Sequence, residues 1–306
     1  MKKVKVHSPA TVANLVCGFD ILGMAINKPY DIMELSLINE SKVVIHHNDS
    51  FDLPENAEQN VAGVVLLSII EKLDRKIGFE LIIDKQIKPG SGIGSSAASA
   101  AGAVVAANHL LGNIFSANEM VELAMNGEEL ASGAKHADNI APCIFGNVTL
   151  IRSLQPLDII SIPAPDLFVT IIHPQIEIKT SEARKMLNTE VSLKDAITQW
   201  GNVAGLVTGF LKNDIDLINR SMEDVIIEPV RSKLIPQFDG IKSKCKEAGA
   251  IGGGISGSGP SMFMLSKDEK TALLIESEMK NIYNKTGIDF NTYVTTINRK
   301  GVEIVS

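Results

Sequence analysis

The chain has 306 residues, 45% of them hydrophobic and 21% charged, with a net charge of -7, enough apolar material for two domains at ~100–200 residues each. The acidic balance, with no run of lysine and arginine forming a basic stripe, excludes a protein built to grip nucleic acid. Cys17, Cys143 and Cys245 are odd in number, far apart and outside any CxxC or Cys/His spacing, so neither a disulfide framework nor a zinc site is expected, and a reducing cytoplasm suits the chain.

Lys3 to His7, Ile32 to Leu37 and Val43 to His46 alternate as strands, so the chain opens as a sheet. Asp20 arrives before any long apolar stretch, and no secretory signal is expected at this end. Ala13-Asn14-Leu15-Val16-Cys17-Gly18-Phe19-Asp20 is a polar interruption after the first strand, for which turn chemistry is a sufficient reading. Val61 to Leu73 has apolar residues at helical spacing, and Phe79 to Ile83 alternates as a strand.

Pro89-Gly90-Ser91-Gly92-Ile93-Gly94-Ser95-Ser96-Ala97-Ala98 then feeds alternate glycines into a small-residue helix running to Leu111. Glycine lets the backbone take positive φ and aim its N–H groups at one point, and the helix N-terminus adds unpaired donors, so an anion suits the place. A P-loop would need a lysine and a hydroxyl after the last glycine, where Ser95 and Ser96 stand, and a dinucleotide fingerprint would need its third glycine at Ser95. A tight turn in which the glycines serve only packing competes with a phosphate site. The two serines favour the latter, because one hydroxyl can cap the helix while the next reaches a phosphate oxygen or a magnesium ion. The apolar run around Ala97 to Ala107 is well short of the ~18 residues of a membrane span, so it reads as a buried helix and no membrane partner is expected.

Ser116-Ala117-Asn118-Glu119 is a capping box, and Met120, Leu123, Ala124, Leu130 and Ala131 form the apolar stripe of a helix that stops near Gly133. Glu128 borders that stripe, one turn beyond Ala124, whereas Glu129 points roughly opposite. A carboxylate at a buried edge needs a partner, and Mg2+ held between protein and phosphate oxygens would serve; a surface salt bridge is the commoner fate of a lone helical glutamate. Lys135 to Pro142 reads as a polar loop ending in proline, where His136, Asp138 and Asn139 offer groups suited to a hydroxyl or an ammonium.

Asn147 to Ile151 reads as a strand, and the prolines between Gln155 and Asp166 mark the boundary between units 1–155 and 156–306. The second unit has strands at Leu167 to His173 and near Met262 and Tyr293, with helices at Ser192 to Leu211 and Leu234 to Ala248, which makes the chain α+β. Arg184 and Arg231 could each grip a carboxylate through a planar fork, although spacing cannot pair them. Gly252 to Pro260 is a second glycine-rich segment, too long for a simple turn, which permits close approach to a ligand or to the first loop; a flexible connection is the competing reading.

Three motifs resemble, in order, those of the GHMP kinase family: Ser8-Pro9-Ala10-Thr11-Val12-Ala13-Asn14 with Gly18-Phe19-Asp20-Ile21-Leu22-Gly23, Pro89 to Ala98, and Gly252 to Pro260. The resemblance covers nearly the whole chain. Within the family, Gly18-Phe19-Asp20, His136 to Pro142 and Gly254 to Pro260 are similar to the members acting on homoserine. The resemblance implies a two-domain α+β fold, ribosomal-protein-S5-like at the N-terminus and ferredoxin-like at the C-terminus, in a cytoplasmic homodimer. ATP and L-homoserine would meet between the domains. It implies that Pro89, Gly90, Ser91, Gly92, Ile93, Gly94, Ser95, Ser96, Ala97 and Ala98 bind ATP and that Ser96 and Glu128 bind Mg2+. Asn14, Asp20, His136, Asp138, Asn139, Thr180, Arg184, Arg231 and Gly257 would surround homoserine: arginines on its carboxylate, acids on its ammonium, Asn14 or Asn139 on its hydroxyl.

Asn14, Asp138 and Asn139 are the implied catalytic set. Mevalonate-type members use an aspartate near the reacting hydroxyl, whereas the matching residue here is Asn139, whose amide cannot accept a proton. The hydroxyl proton is therefore expected to pass to phosphate. Two other readings compete: a kinase of the same fold acting on another small alcohol such as mevalonate, and a non-catalytic binding protein. The arginines and aspartates disfavour the first, and the presence of Ser96 and Glu128 disfavours the second.

Overall fold

Alternating burial drives the first half of the chain into a sheet, with Val4, Val6, Met33, Leu35, Phe79, Leu81 and Ile83 turned to one apolar face. The computed structural model describes residues 2–178 and 180–305. Strands β1 (Lys3–Ala13), β2 (Leu22–Ile38) and β3 (Val43–His47) precede helix α1 (Val61–Leu73) and strand β4 (Gly78–Asp84). Helices α2 (Ser95–Leu110), α3 (Ala117–Ser132) and α4 (Ile140–Phe145) lead to the pair β5 (Val148–Leu154) and β6 (Leu157–Ile162). The second half runs β7 (Phe168–Pro174), α5 (Thr180–Lys185), α6 (Leu193–Lys212), α7 (Ile215–Ser221), α8 (Glu228–Arg231), α9 (Phe238–Glu247), β8 (Gly252–Ile255), β9 (Met262–Ser266), α10 (Glu269–Tyr283), β10 (Phe290–Thr296) and β11 (Glu303–Ile304).

The first sheet has the order β11-β1-β2-β4-β3 and the second β10-β7-β9-β8. Long β2 serves three neighbours: it pairs with β1 along one edge and, along the other, with β4 over Ile32–Ile38 and with β5 over Leu22–Met24. The expected division at 155/156 falls in the turn between β5 and β6, which pair with each other, so the chain leaves the first sheet only after Ile162. It returns when β11 pairs with β1. A second apolar cluster, with Val12, Leu22 and Met24 from one sheet against Val169, Ile171 and Phe263 from the other, joins the two domains and fixes the cleft between them. Among the described residues no helix is long and apolar enough to cross a membrane.

Three local expectations need correction. The last turn of α3 runs beyond the core, leaving Leu130 45% exposed although the stripe placed it inside. Pro142 does not end a loop but sits in the first turn of α4, where a missing N–H breaks no helical bond. The glycines of Gly252-Gly253-Gly254 form strand β8 rather than loop, because a Cβ on Gly253 would strike the Phe263 carbonyl and one on Gly254 the Glu228 carboxylate.

Candidate active site

Gly90, Gly92 and Gly94 all adopt the left-handed conformation, at φ 73°, 78° and 73°. Gly94 is the N-cap of α2 and supplies no side-chain cap. Ser95, which could have capped the helix, instead donates its hydroxyl to Ile87 O at 2.8 Å. The first-turn N–H groups therefore lack a side-chain partner at the mouth of the cleft, the arrangement that receives an anion. A Cβ on Gly94 would strike the Thr11 hydroxyl. Gly94→Ala is accordingly expected to destabilise the fold by about 1–3 kcal/mol, from a strained left-handed alanine and the lost space; a denaturant midpoint within error of wild type would contradict this.

Of the ten loop residues, Pro89 to Gly92, Ser95 and Ser96 line a cleft of about 500 Å³. Ile93, Ala97 and Ala98 turn into the core instead and frame the loop. Beneath it lies an ion pair that sequence reasoning missed: Lys85 Nζ is 2.5 Å from Asp31 Oδ2 and also donates to Ser95 O and Ser99 Oγ at 3.1 and 2.9 Å. Asp31 Oδ1 accepts the Gln86 and Ile87 N–H groups, both at 2.9 Å. A lysine therefore does sit at the start of α2, but its charge is answered by Asp31. The signal was present in the strand phase. Asp31 shares the buried parity of Met33 and Leu35, and Lys85 that of Leu81 and Ile83.

Ser96 Oγ donates to Glu128 Oε2 at 2.8 Å. Burial pushes the Glu128 carboxyl up to about 7, against the opposing hydrogen bonds of Ser96 and Ser132. Its neighbour Glu129 is exposed and lies 3.7 Å from Lys135. Among the described residues no group of three or more His, Cys, Asp or Glu could hold a metal. A hydroxyl beside a poorly neutralised carboxylate fits Mg2+, which binds through one or two protein oxygens and takes the rest from phosphate and water.

The opposite wall is built by the loop after β1 and by the second domain. Asn14, Leu15, Val16 and Asp20 have φ of 71°, 43°, 69° and 64°, a strained path held by burial of Leu15 and Val16. Asn14 accepts the Asp20 N–H at 3.1 Å and donates to Gly257 O at 2.9 Å. Arg184 donates to both Asp20 oxygens, at 2.6 and 2.9 Å, and His136 Nδ1 lies 4.0 Å from Asp20. Burial holds the His136 imidazole below its usual range, with Arg184 and Arg231 adding to that and Asp20 opposing. Arg231 reaches Gly257 O at 3.2 Å, and Thr180 Oγ1 is 3.1 Å from Ser258 Oγ.

Asn139 accepts the Thr11 hydroxyl at 2.7 Å, which leaves its NH2 as a donor. Asp138 is buried, and that burial, reinforced by Asp20 and Glu128, lifts its carboxyl to about 7. Asn14, Asp20, His136, Asp138, Asn139, Thr180, Arg184, Arg231 and Gly257 therefore all line the same cleft as the glycine loop. The second glycine segment closes on the first: Ser256 Oγ donates to Gly92 O at 2.7 Å and Ser261 Oγ to Ser91 O at 2.6 Å. Phe19 was also missed as a contributor, since nothing in its spacing shows that two arginines approach its ring.

The models for the GHMP kinases N terminal domain and the GHMP kinases C terminal domain match residues 60–147 and 206–285. A homoserine kinase of Chlorobium phaeobacteroides strain BS1 is 41% identical over 320 residues, covering 100% of both chains. One from Methanococcus maripaludis strain S2 is 42% identical, covering 93% of this chain and 94% of its own. The crystal structure of homoserine kinase from Cytophaga hutchinsonii superposes with a TM-score of 0.95 at 45% identity, over 100% of this chain and 98% of that one. By model match, sequence and fold, the chain belongs to the GHMP kinase family and groups with its homoserine kinases.

Proposed function

We propose that this protein transfers the γ-phosphoryl group of ATP to the side-chain hydroxyl of L-homoserine, giving O-phospho-L-homoserine and ADP. The observation that carries the reading is one cleft with two chemically different walls. An uncapped helix entered by three left-handed glycines faces Asp20 with two arginines. In-line phosphoryl transfer asks chiefly for positioning and charge neutralisation. The first-turn N–H groups of α2 would take phosphate oxygens, while Ser96 and Glu128 would hold Mg2+. When bound, the cation neutralises charge on the phosphate oxygens.

Homoserine is a zwitterion, and each of its charges has a counterpart. Arg231 and Arg184 answer the carboxylate, and Asp20 exchanges part of its contact with Arg184 for the substrate ammonium. The free NH2 of Asn139 orients the hydroxyl oxygen, whose proton leaves with the transferring phosphate. Asn14, with both ends of its amide engaged by Asp20 and Gly257, keeps the substrate wall in register. The test is ADP release with homoserine, mevalonate and galactose side by side. Turnover with homoserine alone is expected, and no turnover with it would sink the assignment.

Asp138 decides the proton's route. Asp138→Asn is expected to lower kcat/KM for homoserine by about 10- to 100-fold, the cost of a misplaced hydrogen-bonding group. A loss of ~10⁴-fold or more in kcat at unchanged homoserine KM would instead make Asp138 the base.

A further inference from the structure

The two guanidinium groups of the substrate wall share one neutral neighbour. Arg184 lies 5.1 Å and Arg231 4.9 Å from the centroid of the Phe19 ring. They reach it from different elements, α5 and α8, while Phe19 comes from the loop after β1. That loop is pinned on both sides of the ring, by Gly18 N–H donating to Asn14 O at 2.7 Å and by Asp20 N–H donating to the Asn14 side chain. Three segments remote in sequence therefore converge on one half-buried aromatic ring.

Two like charges placed side by side repel, and Arg231 is almost wholly buried at 3% exposure. Asp20 answers Arg184 through both of its oxygens, whereas Arg231 donates to the Gly257 carbonyl, so a full charge remains for a substrate to find. An aromatic face attracts a cation through its quadrupole and carries no net charge. It can therefore hold both guanidiniums without adding a negative charge to the one that Asp20 already supplies. The Nε atoms of Arg184 and Arg231 are both buried with no hydrogen-bond partner among the described residues, so both arginines retain unanswered donor capacity.

We infer that Phe19 is a positioning residue that sets selectivity for a carboxylate-bearing substrate, by holding the Arg184 and Arg231 guanidiniums together on one uncharged face. The inference rests on the homoserine reading above and deepens it. Two such cation–ring contacts are together worth about a 5- to 30-fold change in affinity.

The experiment compares wild type with Phe19→Leu and Phe19→Tyr. Phe19→Leu is expected to raise the homoserine KM about 5- to 30-fold, with kcat and the ATP KM within about 3-fold of wild type. Phe19→Tyr keeps the ring and is expected to restore the homoserine KM. Two inhibitors separate positioning of the arginines from general damage. The Ki of L-2-aminobutyrate, which has the carboxylate and lacks the hydroxyl, should rise in step with the KM. That of 3-aminopropan-1-ol, which lacks the carboxylate, should not move. A homoserine KM unchanged in Phe19→Leu, equal effects on both inhibitors, or no rescue by tyrosine would each overturn the inference while homoserine turnover by wild type still stood. Absence of that turnover would overturn the underlying reading, and the inference with it.

Discussion

Glu128→Gln is expected to lower kcat/KM by about 10²- to 10³-fold and to raise the Mg2+ concentration for half-maximal rate by at least about tenfold. Glutamine keeps the shape of the side chain and still accepts the Ser96 hydroxyl, so the fold should hold while the charge that a cation would seek is gone. Stability supplies a second readout whose sign can be worked out. The carboxyl lies near 4.5 in the open chain and is pushed up to about 7 by burial in the folded one. Between those values the folded state binds more protons than the unfolded state, so the Glu128 contribution to stability falls as pH rises from about 4.5 to about 7 and is level above that. Removing the charge should therefore raise the urea midpoint at pH 8 much more than at pH 5. Buried Asp138, shifted in the same direction, leaves a residual slope of the same sign. Equal midpoint changes at the two pH values, together with an unchanged Mg2+ requirement, would remove Glu128 from the cation site.

Arg231→Met should act on the other wall. The methionine fills the volume over Phe19 but offers no charge and no donor, and truncating one partner of a buried charged contact costs about 2–5 kcal/mol. The homoserine KM is therefore expected to rise about 10²- to 10³-fold, with the ATP KM within about 3-fold of wild type. The fold should survive, since burial already holds the Arg231 guanidinium below its usual range and Gly257 O keeps its bond from Asn14. The same change at Arg184 should cost less, because that side chain is 38% exposed and already shared with Asp20. Steady-state kinetics with each substrate varied in turn decides the matter. A homoserine KM unaffected by Arg231→Met would place the carboxylate elsewhere.

What the sequence made legible was local. Both halves of the capping box at Ser116 and Glu119 form as their spacing requires, and the different exposure of Glu128 and Glu129 follows from the 100° step between helical neighbours. Pairings across the fold were not legible. Asp20 and Arg184 are 164 positions apart, and no periodicity links them until two domains pack. Pro142 misled because proline usually marks an end, yet a helix tolerates it in its first turn. The glycines of β8 misled because absence of side chains reads as looseness, whereas here it answers crowding by Glu228 and Phe263. Lys85 and Asp31 are a different case: Asp31 on the buried phase of β2 and Lys85 just past the end of β4, continuing its buried phase, were visible in the alternation and signal a paired interior site.

The stitching of the two glycine segments also bears on how the molecule can move. Ser256 and Ser261, in the second domain, grip the carbonyls of Gly92 and Ser91 at the base of the cleft, and the apolar seam lies behind them. The glycine loop is thereby tied to the second domain, and swinging the loop away from that domain would break both bonds. Displacements of the rim that leave these bonds intact belong to the faster timescale of loops rather than to that of whole-domain rotation.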